Sequence, residues 1–287
     1  MPRRSPPPSR TAVADAGPSG SGEGGGAVSA GESQPWVPSR APSWLRPLID
    51  NVEKVPSAYV QRLPADVRAM ITAADAKASL TGNRRDAAVL VLFSGPPAGP
   101  ASAITESADL LVTVRASTLR HHAGQAAFPG GAVDPGDAGP VATALREANE
   151  ETGIDPARVH PLVALKKIFI APSGFQVVPV LAYSEDPGPV TAVDPGETAI
   201  VARVPVRAFI NPENRLMVYR DARSRRWAMP AFRLNQMLVW GFTAQVISAM
   251  LDVAGWAQPW DTTEVLGLDE AMALVGEEPG GTGMTGI

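Results

Sequence analysis

The sequence predicts a mixed α/β domain, and three observations carry that prediction. An uninterrupted apolar run, Ala87-Ala88-Val89-Leu90-Val91-Leu92-Phe93, stops at a Ser94-Gly95-Pro96-Pro97 turn, as a buried strand does. After one more strand comes an amphipathic helix, with Pro140 suited to its first turn and Gly153 to the position just past its end. A second, more uniformly apolar helical stretch follows late in the chain, over residues 232–253. Strands flanking one central helix, with another helix near the end, give the mixed class.

Taken in order, residues 1–42 are rich in Pro, Ser, Gly and Ala, and residues 20–26 are close to low complexity. Such a segment buries too little apolar surface to offset its ordering entropy, so a disordered tail is expected. Trp44-Leu45 opens a helix-like stretch with Leu48, Ile49 and Val52 at helical spacing, and residues 65–80 repeat the pattern with Val67, Met70, Ile71 and Ala74. Residues 43–84 therefore read as a helical lead-in packed on the main domain, with Trp44 as a core anchor. The main domain spans 85–256. Its strands fall at 87–93, 109–115, 159–168, 176–183 and 200–206, and a hairpin over 216–227 turns at 221–224. Residues 119–131 read as a loop entering the central helix. Residues 257–287 form a C-terminal extension whose Gly-rich end, from about 280, is expected to fray.

Composition narrows the classes of function. The chain has 287 residues, which allows one large or two small domains, and 45% are hydrophobic, enough for a sizeable core. A net charge of -4 and the lack of a basic tract interleaved with aromatics give no expectation of nucleic acid as a partner. Zero cysteines exclude disulfides, thiolate metal sites and a cysteine nucleophile. The longest apolar run, 87–93, is far short of the roughly 20 residues a spanning helix needs, so no membrane partner is expected. Arg3, Arg4 and Arg10 have no apolar stretch behind them, which argues against a secretory signal and leaves a soluble cytoplasmic protein as the default. A homodimer remains open.

Chemistry concentrates at the end of the central helix. Glu147, Glu150 and Glu151 stand at i, i+3 and i+4, so at about 3.6 residues per turn the three carboxylates share one face. Val141, Ala144, Leu145, Ala148 and Thr152 form a second, mostly apolar face, which lets the helix pack on a sheet while holding its acids toward a cleft. Acids in the last turns oppose the helix macrodipole by roughly 0.3 to 1 kcal/mol each, and like charges at i, i+4 cost about 0.2 to 0.5 more. Arg146 balances part of that charge, and a divalent cation is the natural remainder. An all-oxygen site favours Mg2+ or Mn2+. The competing reading is a solvated acidic face; the Phe128-Pro129-Gly130-Gly131 turn upstream weighs against it.

Residues 146–154, Arg-Glu-Ala-Asn-Glu-Glu-Thr-Gly-Ile, resemble the second half of the Nudix box, with Ala148 a small occupant of its first aliphatic position. In the first half, the glycine and glutamate positions fall on Ala132 and Ala138; a one-residue insertion moves them to Gly131 and Asp137, an aspartate in place of the usual glutamate. That insertion is similar to the coenzyme A diphosphatase branch of the Nudix family. So are the segment from Leu110 through Arg115, Arg120 and His122 into Gly131, the segment Ala171-Pro172-Ser173-Gly174-Phe175, and Trp240-Gly241-Phe242-Thr243-Ala244.

The resemblance implies an α/β/α sandwich around a mixed sheet, and metal ligation by Glu147, Glu150, Glu151 and the backbone carbonyl of Gly130. It also implies that Arg146 orients the glutamates, that a box glutamate or the later-loop Glu197 activates water, and that Arg115, Arg120, His122 and Gly131 contact the substrate phosphates. Phe175 is expected to pack rather than to stack on adenine. The activity implied is hydrolysis of coenzyme A or its acyl esters to adenosine 3',5'-bisphosphate and 4'-phosphopantetheine or its acyl form. The alternatives are a broader hydrolase of NADH, ADP-ribose or nucleoside triphosphates, and a non-catalytic nucleotide-binding module.

Overall fold

A computed structural model describes residues 37–98, 104, 106–117, 124–171, 173–222 and 225–276. Most of the expected disordered tail and the fraying C-terminal end lie outside the described residues, as do Arg120 and His122.

The chain opens with short helices α1 (Arg46–Ile49) and α2 (Val55–Gln61) and the longer α3 (Ala65–Leu80). Strands β1 (Arg85–Ser94), β2 (Asp109–Arg115), β3 (Ala126–Ala127) and β4 (Gly130–Ala132) lead into α4 (Pro140–Thr152). Then come β5 (His160–Ala164), β6 (Ile168–Ile170), β7 (Phe175–Ser184), β8 (Thr198–Pro205), α5 (Val206–Ile210), β9 (Arg215–Ala222), β10 (Arg225–Leu234), β11 (Met237–Val239), α6 (Gly241–Val253), β12 (Val265–Leu266) and α7 (Leu268–Gly276). No helix among the described residues is long and apolar enough to cross a membrane.

The first eight strands form one mixed sheet with β1 at its centre. β1 runs parallel to β7 in register from Arg85↔Phe175 to Ser94↔Ser184. Its other edge is shared, since β4 pairs with Ala87, Ala88 and Val89 while β2 pairs with Phe93 and Ser94. Residues 126–132 thus pass from the edge of β2, as β3, to the edge of β1, as β4.

Strand alternation then builds two cores. Ala88, Leu90 and Leu92 meet Val141, Ala144 and Ala148 of α4 on one face. Val91 and Phe93 meet Trp44, Leu45, Leu48 and the apolar length of α6 on the other. Helices on both faces of a mixed sheet make the α/β/α sandwich that the sequence implies.

Trp44 is fully buried. Its ring packs edge-on to Phe93 and Tyr183 at 6.5 and 6.3 Å, and its Nε1 donates to the Pro96 carbonyl at 2.9 Å.

Several elements differ from the sequence reading. The stretch expected as one helix over 232–253 is strand up to Val239, and helix begins only at Gly241. Asn235, with φ of 35°, turns the chain so that β11 folds back on β10, pairing Phe232 with Val239 and Leu234 with Met237. Phe232, Arg233 and Leu234 alternate buried and exposed as a strand does, and the exposed Asn235-Gln236 turn decides where the helix can begin. The hairpin belongs to a second sheet, ordered β11-β10-β9-β12, whose outer face is covered by α7 through Val218, Met229, Ala231, Leu238 and Ala271. The single strand expected over 159–168 is two, β5 and β6, both antiparallel to β7. Val206, expected in a strand, opens α5, and the loop expected over 119–131 contains β3 and β4.

Because the lead-in supplies a core side chain to the sheet face opposite α4, Trp44→Ala is expected to lower unfolding free energy by about 3–5 kcal/mol, measured by chemical denaturation at unchanged slope. A loss below about 1 kcal/mol would mean that the lead-in contributes little to the fold.

Candidate active site

The site is built where α4 ends beside the glycine turn. Gly130 takes φ of 156°, and a Cβ on it would lie 2.3 Å from the Ala88 carbonyl oxygen, so only glycine lets β4 lie this close to β1. Gly131 is held open for another reason, because a Cβ there would stand 2.5 Å from the Glu147 carboxyl carbon. The turn therefore lays bare backbone against the acidic face of α4.

Arg146 gathers most of that acidity. Its Nε and Nη2 donate to the two oxygens of Asp137 at 3.1 and 3.0 Å, a bidentate pair. Nη1 donates to Glu147 at 2.9 Å and to Glu150 at 3.0 Å, and Nη2 also reaches the Ala132 carbonyl at 3.1 Å. Asp137 is itself fixed by the Asp134 amide at 2.9 Å and the Thr143 hydroxyl at 2.8 Å. Bonds from Arg146 hold the Asp137 carboxyl well below the usual carboxylate range, despite its burial. The aspartate at the position where the box usually has glutamate is thus the anchor of the arginine. Thr143 was not singled out from sequence; its spacing, six residues after Asp137 and three before Arg146, is the available signal.

Glu151 points the other way. One of its oxygens accepts the Gly130 amide at 3.3 Å, and the other lies 4.0 Å from Arg115 Nη1. The register of β2 on β8 shifts at this point, Val114 facing Ile200 and Arg115 facing Thr198. Burial pushes the Glu151 carboxyl up to about 7; the Gly130 amide and Arg115 work against that, while the neighbouring charges of Glu147 and Glu197 add to it. Burial also raises Glu147, against the opposing pull of Arg146. Glu197 is exposed and enters through its backbone, its carbonyl accepting the Ala116 amide at 2.8 Å.

The structure thus brings together Arg115, Gly130, Gly131, Arg146, Glu147, Glu150, Glu151 and Glu197. Among the described residues no group of three or more acid or histidine side chains is close enough, as placed, to enclose a metal ion. Two of the three α4 acids are drawn to Arg146 and the third to Gly130. Elsewhere, the guanidinium of Arg85 lies 4.1 Å over the ring of Phe175. Gly241, at the start of α6, abuts Gln125, whose Nε2 would lie 3.0 Å from a Cβ at that glycine.

The raised carboxyl of Glu151 fixes the sign of a pH effect. A group that binds its proton more tightly folded than unfolded makes stability fall as pH rises, here between the ordinary 4.5 and about 7. Without added metal, the protein should lose on the order of 3 kcal/mol or less across that window. Glu151→Gln should flatten the slope, as read by thermal melting at about pH 5 and pH 8. An unchanged slope in the variant would remove Glu151 as its source.

A profile of the NUDIX domain matches residues 96–228. The chain is 34% identical over 168 residues to an uncharacterized Nudix hydrolase, NudL, of Photorhabdus laumondii, a match covering 58% of this chain and 84% of that protein. With the protein of the same name from Escherichia coli K12 strain DH10B, identity is 37% over 170 residues, covering 58% and 81%. Among solved structures, a Nudix hydrolase from M. smegmatis, RenU, overlaps 62% of this chain and 90% of its own at 17% identity and a TM-score of 0.39, too little to add to the argument. The matches to these relatives extend along most of each of them, the profile spans the glycine turn and helix α4, and together they place this chain in the Nudix family.

Proposed function

We propose that the chain hydrolyses the diphosphate bond of coenzyme A or an acyl-coenzyme A, giving adenosine 3',5'-bisphosphate and 4'-phosphopantetheine or its acyl form. One observation carries the chemistry. Glu151 is half-buried beside two other acids, its side chain 12% exposed, and its nearest answering groups among the described residues are an amide at 3.3 Å and a guanidinium at 4.0 Å. A carboxylate in that position is short of positive charge. Glu147, Glu150, Glu151 and the Gly130 carbonyl would supply it by holding Mg2+ or Mn2+, an all-oxygen set suited to either ion. A divalent ion held there would supply neutralisation of charge on the phosphoryl oxygens.

The chain's own groups do the rest. Arg146, locked by Asp137, fixes the directions of Glu147 and Glu150. Glu197 or Glu151 takes the proton of the attacking water. Arg115 stands beside Glu151 to meet a phosphoryl oxygen, bidentate geometry being the reason arginine suits this task. Gly131 leaves room for the substrate, and Arg120 and His122 are proposed as further phosphate contacts.

The choice of coenzyme A rests on the segments around the box. Two of them, remote in sequence, meet where Gly241 abuts Gln125, so both border one region of the fold.

Purified protein incubated with coenzyme A and Mg2+ or Mn2+ should release 4'-phosphopantetheine, followed by chromatography, and Glu151→Gln should cut turnover by about 10²- to 10⁴-fold. Hydrolysis of NADH or ADP-ribose without coenzyme A turnover would overturn the substrate assignment and keep the chemistry. Silence on every diphosphate would leave a binding module.

A further inference from the structure

A second group of charged side chains lies between α2, α6 and the second sheet, on elements that supply none of the α4 acids. Arg215 opens β9 and is 7% exposed. Its guanidinium lies 4.6 Å from the ring of Trp260 and 5.6 Å from that of Phe232. Neither its Nε nor its Nη1 has a hydrogen-bond partner among the described residues. Each of the two N–H pairs of the fork therefore keeps at least one unmet donor.

The surroundings do not answer the charge. Arg62, just past α2, makes three bonds: Nη1 donates to the Ala58 carbonyl at 2.9 Å, and Nη2 to the Ser248 carbonyl at 3.0 Å and to Asp252 in an ion pair. Asp252 attracts Arg215 and Arg62 repels it, while burial pushes both guanidinium pKa values down. One carboxylate thus serves the field of two guanidinium groups, and Arg62 holds it directly. Aromatic rings stabilise the faces of a guanidinium; they do not satisfy its N–H groups. A buried cation without a counter-charge is costly enough that folds keep one mainly where something binds it. The side chain of Asp252 is 50% exposed, so this end of the group lies near solvent.

We propose that Arg215 forms the core of an oxyanion site, taking a phosphate or carboxylate group at its unmet donors with Arg62 as the second cation. A water molecule would satisfy the donors but leave the charge, and that difference makes the site testable. The inference stands apart from the activity assigned to α4, because its readout is binding.

Thermal melting of the full chain, titrated with sodium phosphate or sodium acetate against sodium chloride at matched ionic strength, reads the site directly. A saturable rise in melting temperature with phosphate or acetate is expected, and which anion produces it identifies the group taken. General salt stabilisation does not saturate and is shared by all variants. Arg215→Met should abolish the saturable part, and Arg215→Lys, which keeps charge but loses the fork, should shift its midpoint upward by about tenfold. No saturable rise with either anion, or an unchanged midpoint in Arg215→Lys, would overturn the site even if Arg215→Met failed to fold.

Discussion

The structure depends on the contact between one guanidinium and the acids around it. Helix α4 ends with three glutamates where the helix dipole disfavours negative charge, and Arg146 holds two of them while it is held by Asp137. This clamp makes the acidic end compatible with packing against β1 and β4. It also separates the acids by role: Glu147 and Glu150 are tied to arginine, and Glu151 is left to the amide of Gly130.

The clamp works only because the sheet leaves room for it. The edge of β1 is divided between β4 and β2, and β4 lays Gly130 and Gly131 against the acidic face of α4 without side chains between. Arg115 arrives from the end of β2 and Glu197 from the loop before β8, so the cleft takes residues from four separate stretches. The far face of the sheet is closed by Trp44 and α6, which makes the lead-in helices part of the same core.

Much of this was legible beforehand. The strand at 87–93, the helix bounded by Pro140 and Gly153, and the shared face of Glu147, Glu150 and Glu151 follow from periodicity and from residues with fixed backbone preferences. The anchoring of Arg146 by Asp137 was not, since nothing in local spacing shows which acid a side chain nine residues away will choose. The stretch after Phe232 misled for the opposite reason: its apolar residues run on from strand into helix, while the exposed Arg233, Asn235 and Gln236 mark a turn at Asn235 that makes it a hairpin followed by a helix.

By itself the sequence determined the strand at 87–93, the helix from Pro140 to Thr152 and the type of chemistry, because helix ends and carboxylate spacing are set within a few residues. Only the tertiary structure decided which charges meet. It turned Glu151 from Arg146 toward Gly130, brought Arg115 and Glu197 beside it, and left Arg215 buried with unmet donors. Electrostatic pairing and desolvation depend on distance in space and on what else is buried nearby, and neither quantity is written in the order of residues.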